Sequence, residues 1–289
     1  MAALAACLVW ALVPVGTRFF VLRVDPFVFN VVRYLAAAAS ALPLFVRARP
    51  WRWPRSDQRL MLGCALLAVP GYNLPVSFGA QAVTAGQLGL LIATEPVLII
   101  AFALLLEGRR IRARLIAGSV LALCGVTLTS GVLTSSAALR LTGALEVLAG
   151  AMSWSIYTVL VARLYRRQGA LGVTGATLVV GTLLLLLVSG PLMRGVAWPD
   201  ARSVLELAVM GIASSTVGFL FWNYAGSRVP AERLGLFLYL IPVGSVATGA
   251  LLLSETLTFT LLGGGLLTLL GVWLATHAGA GMTAAPAEP

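Results

Sequence analysis

The chain has 289 residues, of which 60% are hydrophobic and only 10% charged, with a mean hydropathy of +0.97. A soluble chain carries about 25% charged residues, so a soluble domain on a single anchor is excluded and an all-α integral membrane protein is predicted. The net charge of +10 comes from twenty arginines with no lysine, most of them in short loops between apolar segments, which marks membrane orientation rather than nucleic-acid binding.

Ten transmembrane helices are predicted, each near the roughly 20 residues that a bilayer requires. The first, 2–22, starts apolar from Ala2 and carries Trp10; the second, 27–46, contains Arg33. The third, 60–79, holds Tyr72 and Asn73 between Pro70 and Pro75, a broken helix whose freed carbonyls could line a site. The fourth, 86–106, has Glu95-Pro96 near its middle. A charge there costs at least about 2.5–3.5 kcal/mol, so this segment reads as a lining element. The fifth spans 113–131, the sixth 142–162 with Trp154 and Tyr157, and the seventh 171–193. The eighth, 203–224, ends in Trp222, Asn223 and Tyr224, and the ninth, 233–253, carries Tyr239 just before Ile241-Pro242. After the tenth, 258–277, the 278–289 tail reads as disordered.

Orientation follows from the arginines. The loops after spans two, four, six and eight hold fourteen of them, including Arg163, Arg166 and Arg167 after span six. That side is predicted to be cytoplasmic, with both termini on it. Glu107 and Glu255 close spans four and nine and read as boundary features, with Glu107 pairing locally to Arg109 or Arg110. The three cysteines lie within apolar segments and behave as small hydrophobes.

Two units of like pattern follow one another. At an offset of 146, Leu88-Gly89-Leu90 matches Leu234-Gly235-Leu236, Pro96 matches Pro242, Gly118 matches Gly264 and Gly125 matches Gly271; at 144, Trp10 matches Trp154. With five spans in each unit, 1–131 and 132–277, the second enters the membrane from the opposite face: an inverted repeat. Glycines in the fifth and tenth helices let neighbouring helices approach closely and are packing elements.

The residues LVWALVPVGTRF (8–19), DPFVFNVVRY (25–34), LLLEGRRI (104–111) and GSVLALCGVTL (118–128), with AMSWSIYTVLVAR (151–163) and the 229–258 stretch, resemble the drug/metabolite transporter superfamily, specifically its ten-span EamA type. The resemblance covers nearly the whole chain. It implies a transporter in the bacterial inner membrane, with helices one, three, four, six, eight and nine around a central cavity and five and ten packed aside.

The candidate substrate-binding set is Trp10, Tyr72, Asn73, Glu95, Trp154, Tyr157, Trp222, Asn223 and Tyr239, with Glu95 also the proton-coupling candidate. Pro70, Pro75, Pro96 and Pro242 are the candidate hinges. Aromatic faces suit flat or cationic ligands, although Trp222 and Tyr224 fit an interfacial belt equally well. Arg33 could pair with a substrate carboxylate, but a surface anchor that snorkels is the preferred reading. No cofactor or metal is expected, since His277 is the sole histidine and no catalytic constellation is present. With no GxxxxGK[ST] motif, a P-loop cannot drive transport in this chain. These residues point to a secondary exporter of small metabolites, with amino acids as the main reading, acting by alternating access as a monomer or homodimer. A multidrug exporter of cationic compounds and an uncoupled facilitator are the alternatives.

Overall fold

The computed structural model describes residues 1–106, 113–129 and 137–277; the tail and the Glu107 pairing lie outside them. All regular structure in the described residues is helical. Eight segments are long and apolar enough to cross a membrane: Ala2–Val21, Pro26–Arg52, Arg55–Gly79, Ala85–Leu106, Leu141–Gln168, Ala170–Met193, Ala201–Gly226 and Arg233–Leu253. Two further helices, α8 (Ala113–Thr129) and α15 (Phe259–His277), stand where spans five and ten are expected, with the shorter apolar stretches Ile116–Gly125 and Phe259–Leu274.

Several spans are two helices in line, and in the first, third and fourth the joint falls beside proline, which removes a backbone donor and disfavours helix in the residue before it. The first span is α1 (Ala2–Trp10) and α2 (Val13–Val21), with Pro14 in the first turn of α2. The second is α3 (Pro26–Ala48), capped by Asp25, whose carboxylate accepts from Phe27 N at 2.8 Å. The third breaks at Val69 between α4 (Arg55–Ala68) and α5 (Pro70–Gly79). In the fourth, α6 (Ala85–Ile92) stops two residues short of α7 (Glu95–Leu106). The sixth and seventh spans are α9 (Ala137–Gln168) and α10 (Ala170–Ser189). The eighth contains α11 (Ala201–Met210), a π-helical stretch Gly211–Val217 and α12 (Gly218–Gly226). In the ninth, α13 (Ala231–Gly235) leads through a 3₁₀ turn, Leu236–Tyr239, into α14 (Leu240–Leu253).

One assignment needs correction. Arg163, Arg166 and Arg167 are not in a loop: α9 runs 32 residues and ends only at Gly169, whose φ of 74° is open to glycine. Arginine is a good helix former, and cations are favoured in the last turn, so the helix continues into the charged stretch.

Helices in lipid associate by close packing rather than by hydrophobic expulsion, which favours small residues at crossings. Gly125 of α8 lies against Gly264 and Thr268 of α15, while Gly271 of α15 lies against Gly118 and Ala122 of α8. Likewise Gly89 of α6 meets Pro242 and Ser245, while Gly235 meets Pro96 and Ile99. Both sets are reciprocal and run in opposite chain senses, as contacts across a two-fold axis do. Gly125→Val is expected to lower stability by about 3 kcal/mol, the upper end for overpacking. An unchanged melting temperature in detergent would show that α8 and α15 do not pack there.

The two ends of the bundle are fastened differently. At the arginine-rich end Asp57, its side chain 2% exposed, receives Arg167 Nη1 at 2.8 Å and Gln168 Nε2 at 2.8 Å. At the other end Glu255 is more than a boundary feature. Its Oε1 accepts from Ala85 N at 2.7 Å and its Oε2 from Gly86 N at 3.2 Å, so a carboxylate from the second unit caps α6 in the first. Arg18 donates there to the carbonyls of Ala80 at 2.6 Å and Gln81 at 2.7 Å. Arg23 lies over the Phe19 ring at 3.8 Å, and Asp200 accepts from Ser203 N at 2.8 Å, a bond that holds its carboxyl below its usual range.

Candidate functional site

A cavity of about 50 Å³ is lined by residues at or near the breaks in the first, fourth, eighth and ninth spans. A single water needs roughly 10–15 Å³, so the space holds a few waters, and an amino acid requires the walls to part. A smaller space of about 20 Å³, bounded by Thr17, Ser77, Arg33 and Asn73, continues toward the end that carries Glu255.

Trp10, Tyr72, Asn73, Glu95 and Trp154, all selected from the sequence, line the main cavity. Trp10 donates from Nε1 to the Ser214 carbonyl at 2.8 Å, and its indole lies where a side chain at Gly218 would stand. Trp154 is the hub of an aromatic cluster: its ring centroid lies 5.3 Å from Trp10, 5.4 Å from Tyr72, 5.1 Å from Tyr157, 5.3 Å from Phe219 and 6.0 Å from Trp222. Edge-to-face and tilted arrangements such as these are the favoured geometries.

Tyr157, Trp222 and Asn223 pack on the arginine-rich side of the cavity. Asn223 Oδ1 accepts from Tyr157 Oη at 3.1 Å and Tyr165 Oη at 2.7 Å, and its Nδ2 donates to Thr174 Oγ1 at 2.8 Å. Trp222 and Asn223 are fully buried, which removes the interfacial-belt alternative for them. Tyr224 is exposed, with Arg228 over its ring at 3.6 Å. Tyr239 lies apart from the cavity and donates to the Val272 carbonyl of α15 at 3.4 Å.

Asn73 has a specific task at the Pro70 break. Its Nδ2 donates to the carbonyls of Ala68 at 3.2 Å and Val69 at 2.9 Å, and to Tyr34 Oη at 2.7 Å. This side chain thus ties the two carbonyls at the break itself, whereas the carbonyls that Pro70 and Pro75 deprive of an i+4 donor are those of Leu66 and Gly71.

Glu95 is 1% exposed, and its Oε1 has no hydrogen-bond partner. It opens α7, where the helix dipole favours negative charge. Arg33 overturns its expected role as a surface anchor. It is 4% exposed and forms part of the cavity wall. Its Nη2 donates to Ser214 Oγ at 3.2 Å, its guanidinium lies 4.9 Å from the Phe29 ring centroid, and its Nε is unpartnered. The signal was depth: seven residues into its span is roughly 10 Å along a helix axis, and helix two was not expected at the site. Ser214 and Ser215, on the π-helical stretch, were missed as well; nothing in their spacing marks them.

The EamA-like transporter family matches residues 1–131 and 141–276. The chain is 29% identical over 244 residues, 84% of its length and 80% of the relative's, to a "Probable terminal-alkyne amino-acid exporter" of Streptantibioticus cattleyicolor. It is 25% identical over 292 residues, 94% of its length and 92% of the relative's, to a "Probable amino-acid metabolite efflux pump" of Salmonella typhimurium. A solved structure described only as "Crystal structure of protein" superposes with a TM-score of 0.69 over 98% of both chains at 20% identity, a likeness of fold alone.

Proposed function

The chain belongs to the EamA-like transporter family, and on that premise we propose that it is a secondary exporter of amino acids, working by alternating access around the central cavity. The observation that carries this reading is the setting of Glu95. It is a buried carboxylate with an unpartnered oxygen, and it lies beside the crossing where Pro96 meets Gly235 and Pro242 meets Gly89. Those reciprocal contacts support two inverted units that rock against each other. The printed names of the two bacterial relatives support amino-acid substrates. On this reading Glu95 couples export to protons, and the arginine-rich end, with both termini, faces the cytoplasm.

The aromatic cluster around Trp154 favours one other reading, export of cationic aromatic compounds held by ring faces and Glu95. Counterflow in proteoliposomes separates the two. Liposomes preloaded with single unlabelled amino acids are expected to accumulate the labelled amino acid transiently, and an imposed pH gradient is expected to shift the flux. Transport of a cationic dye without counterflow of any amino acid would replace the first reading by the second. Flux that neither saturates nor shows counterflow would indicate an open facilitator.

A further inference from the structure

Arg33 and Glu95 are opposite charges in the wall of one cavity, both more than nine-tenths buried. They do not pair with each other: among the described residues the ion pairs are Arg167–Asp57 and Arg202–Glu206. Each keeps an unpartnered polar atom, Nε of Arg33 and Oε1 of Glu95. A buried charge without a close partner is expensive in a bilayer and persists where function uses it.

We infer that this pair reads the two charges of a single zwitterion, Arg33 taking the carboxylate and Glu95 the ammonium of an α-amino acid with an apolar side chain. The inference rests on the export reading above and names its substrate class. A zwitterion supplies a partner to each buried charge without adding net charge to the cavity. A simple amine would leave the guanidinium unpaired, and a simple acid would leave the carboxylate unpaired. The guanidinium suits the acid end because, with Nη2 donating to Ser214, its Nε–H is unpartnered and available to a carboxylate. Ile92, Phe219, Leu238 and Ile241 supply an apolar stretch of the wall for the side chain, while the polar lining groups Asn73 and Ser214 are engaged in hydrogen bonds within the protein.

The test uses the full chain in proteoliposomes and competition against counterflow of labelled leucine. Unlabelled leucine is set beside isoamylamine, which lacks the carboxylate, and isocaproate, which lacks the ammonium. Leucine is expected to compete about 100-fold better than either, as sites that pair a polar group reject analogues lacking it by large factors. Arg33→Gln is expected to narrow the gap to isoamylamine to about threefold while the gap to isocaproate stays, and Glu95→Gln to do the reverse. Arg33→Lys, which keeps the charge, is expected to keep most of the first gap. Leucine counterflow with equal competition by a half-analogue in the wild type overturns the inference and leaves export standing, as do variants that retain both gaps. The wild-type competition decides alone if a variant fails to fold. No counterflow of leucine or any other amino acid withdraws both readings.

Discussion

Glu95→Gln is expected to abolish the response of transport to an imposed pH gradient, while counterflow continues at a reduced rate. Glutamine keeps the size of the side chain and a hydrogen-bonding oxygen but cannot exchange a proton. In the wild type the carboxylate is 1% exposed and carries an unpartnered oxygen. Its charge costs at least about 2.5–3.5 kcal/mol at mid-bilayer when nothing answers it. A substrate ammonium that answers it favours the ionised form, so substrate and proton compete for one group. Competition of that kind is the minimum machinery for antiport, and the linkage between the two ligands is reciprocal. The measurement is flux against pH difference in proteoliposomes, with size-exclusion behaviour as the check on folding. A well-folded variant that still responds to the gradient removes Glu95 from the coupling path.

The second large effect concerns the clasp at the arginine-rich end. Removing Arg167 leaves Asp57, its side chain 2% exposed, with Gln168 as its remaining partner. The Arg167 side chain is 64% exposed, so solvent screens the pair and its worth is about 1 kcal/mol, where each 1.4 kcal/mol is about tenfold in an equilibrium. Arg167→Ala is therefore expected to raise the population opened at that end by about fivefold. Cys64 reports on it: it lies on α4, two turns beyond Asp57, and is fully buried. In a background with Cys7→Ala and Cys124→Ala, a membrane-impermeant maleimide is expected to label Cys64 about fivefold faster in the Arg167→Ala protein. An unchanged labelling rate would mean that the clasp does not hold this end closed.

The fold was largely legible because bilayer solvation leaves little choice. Apolar runs of about 20 residues must be helical, and the prolines that interrupt them predicted the joints at Val69 and before Glu95. Aromatic residues placed at mid-span, Trp10, Trp154 and Tyr72, do meet around one cavity. Helical rotation was not legible. Tyr239 lies two residues before Ile241, about 200° round a helix, so Ile241 lines the cavity while Tyr239 reaches α15. Arg33 was assigned to the surface on cost alone, since the sequence does not reveal a polar neighbour such as Ser214 on a distant span. Asp57 and Glu255 were opaque for the same reason, as their partners are 110 and 170 residues away in the chain.

The clasp also bears on sidedness. In the register that matches Trp154 to Trp10, Arg167 and Gln168 correspond to Arg23 and Val24, while the offset of 145 that matches Trp53-Pro54 to Trp198-Pro199 puts Arg202 opposite Asp57. The opposite end thus keeps an arginine in the place of Arg167 but has neither the aspartate nor the amide of the clasp. The two ends are chemically unequal, and on the alternating-access reading the empty protein is not a symmetric rocker. At equal pH on both sides, a carrier of this kind is expected to show different KM and Vmax for the two directions of transport, each by the same factor, with Vmax/KM unchanged. Gln168→Val, which removes the amide from the clasp, is expected to bring the two directional constants closer together.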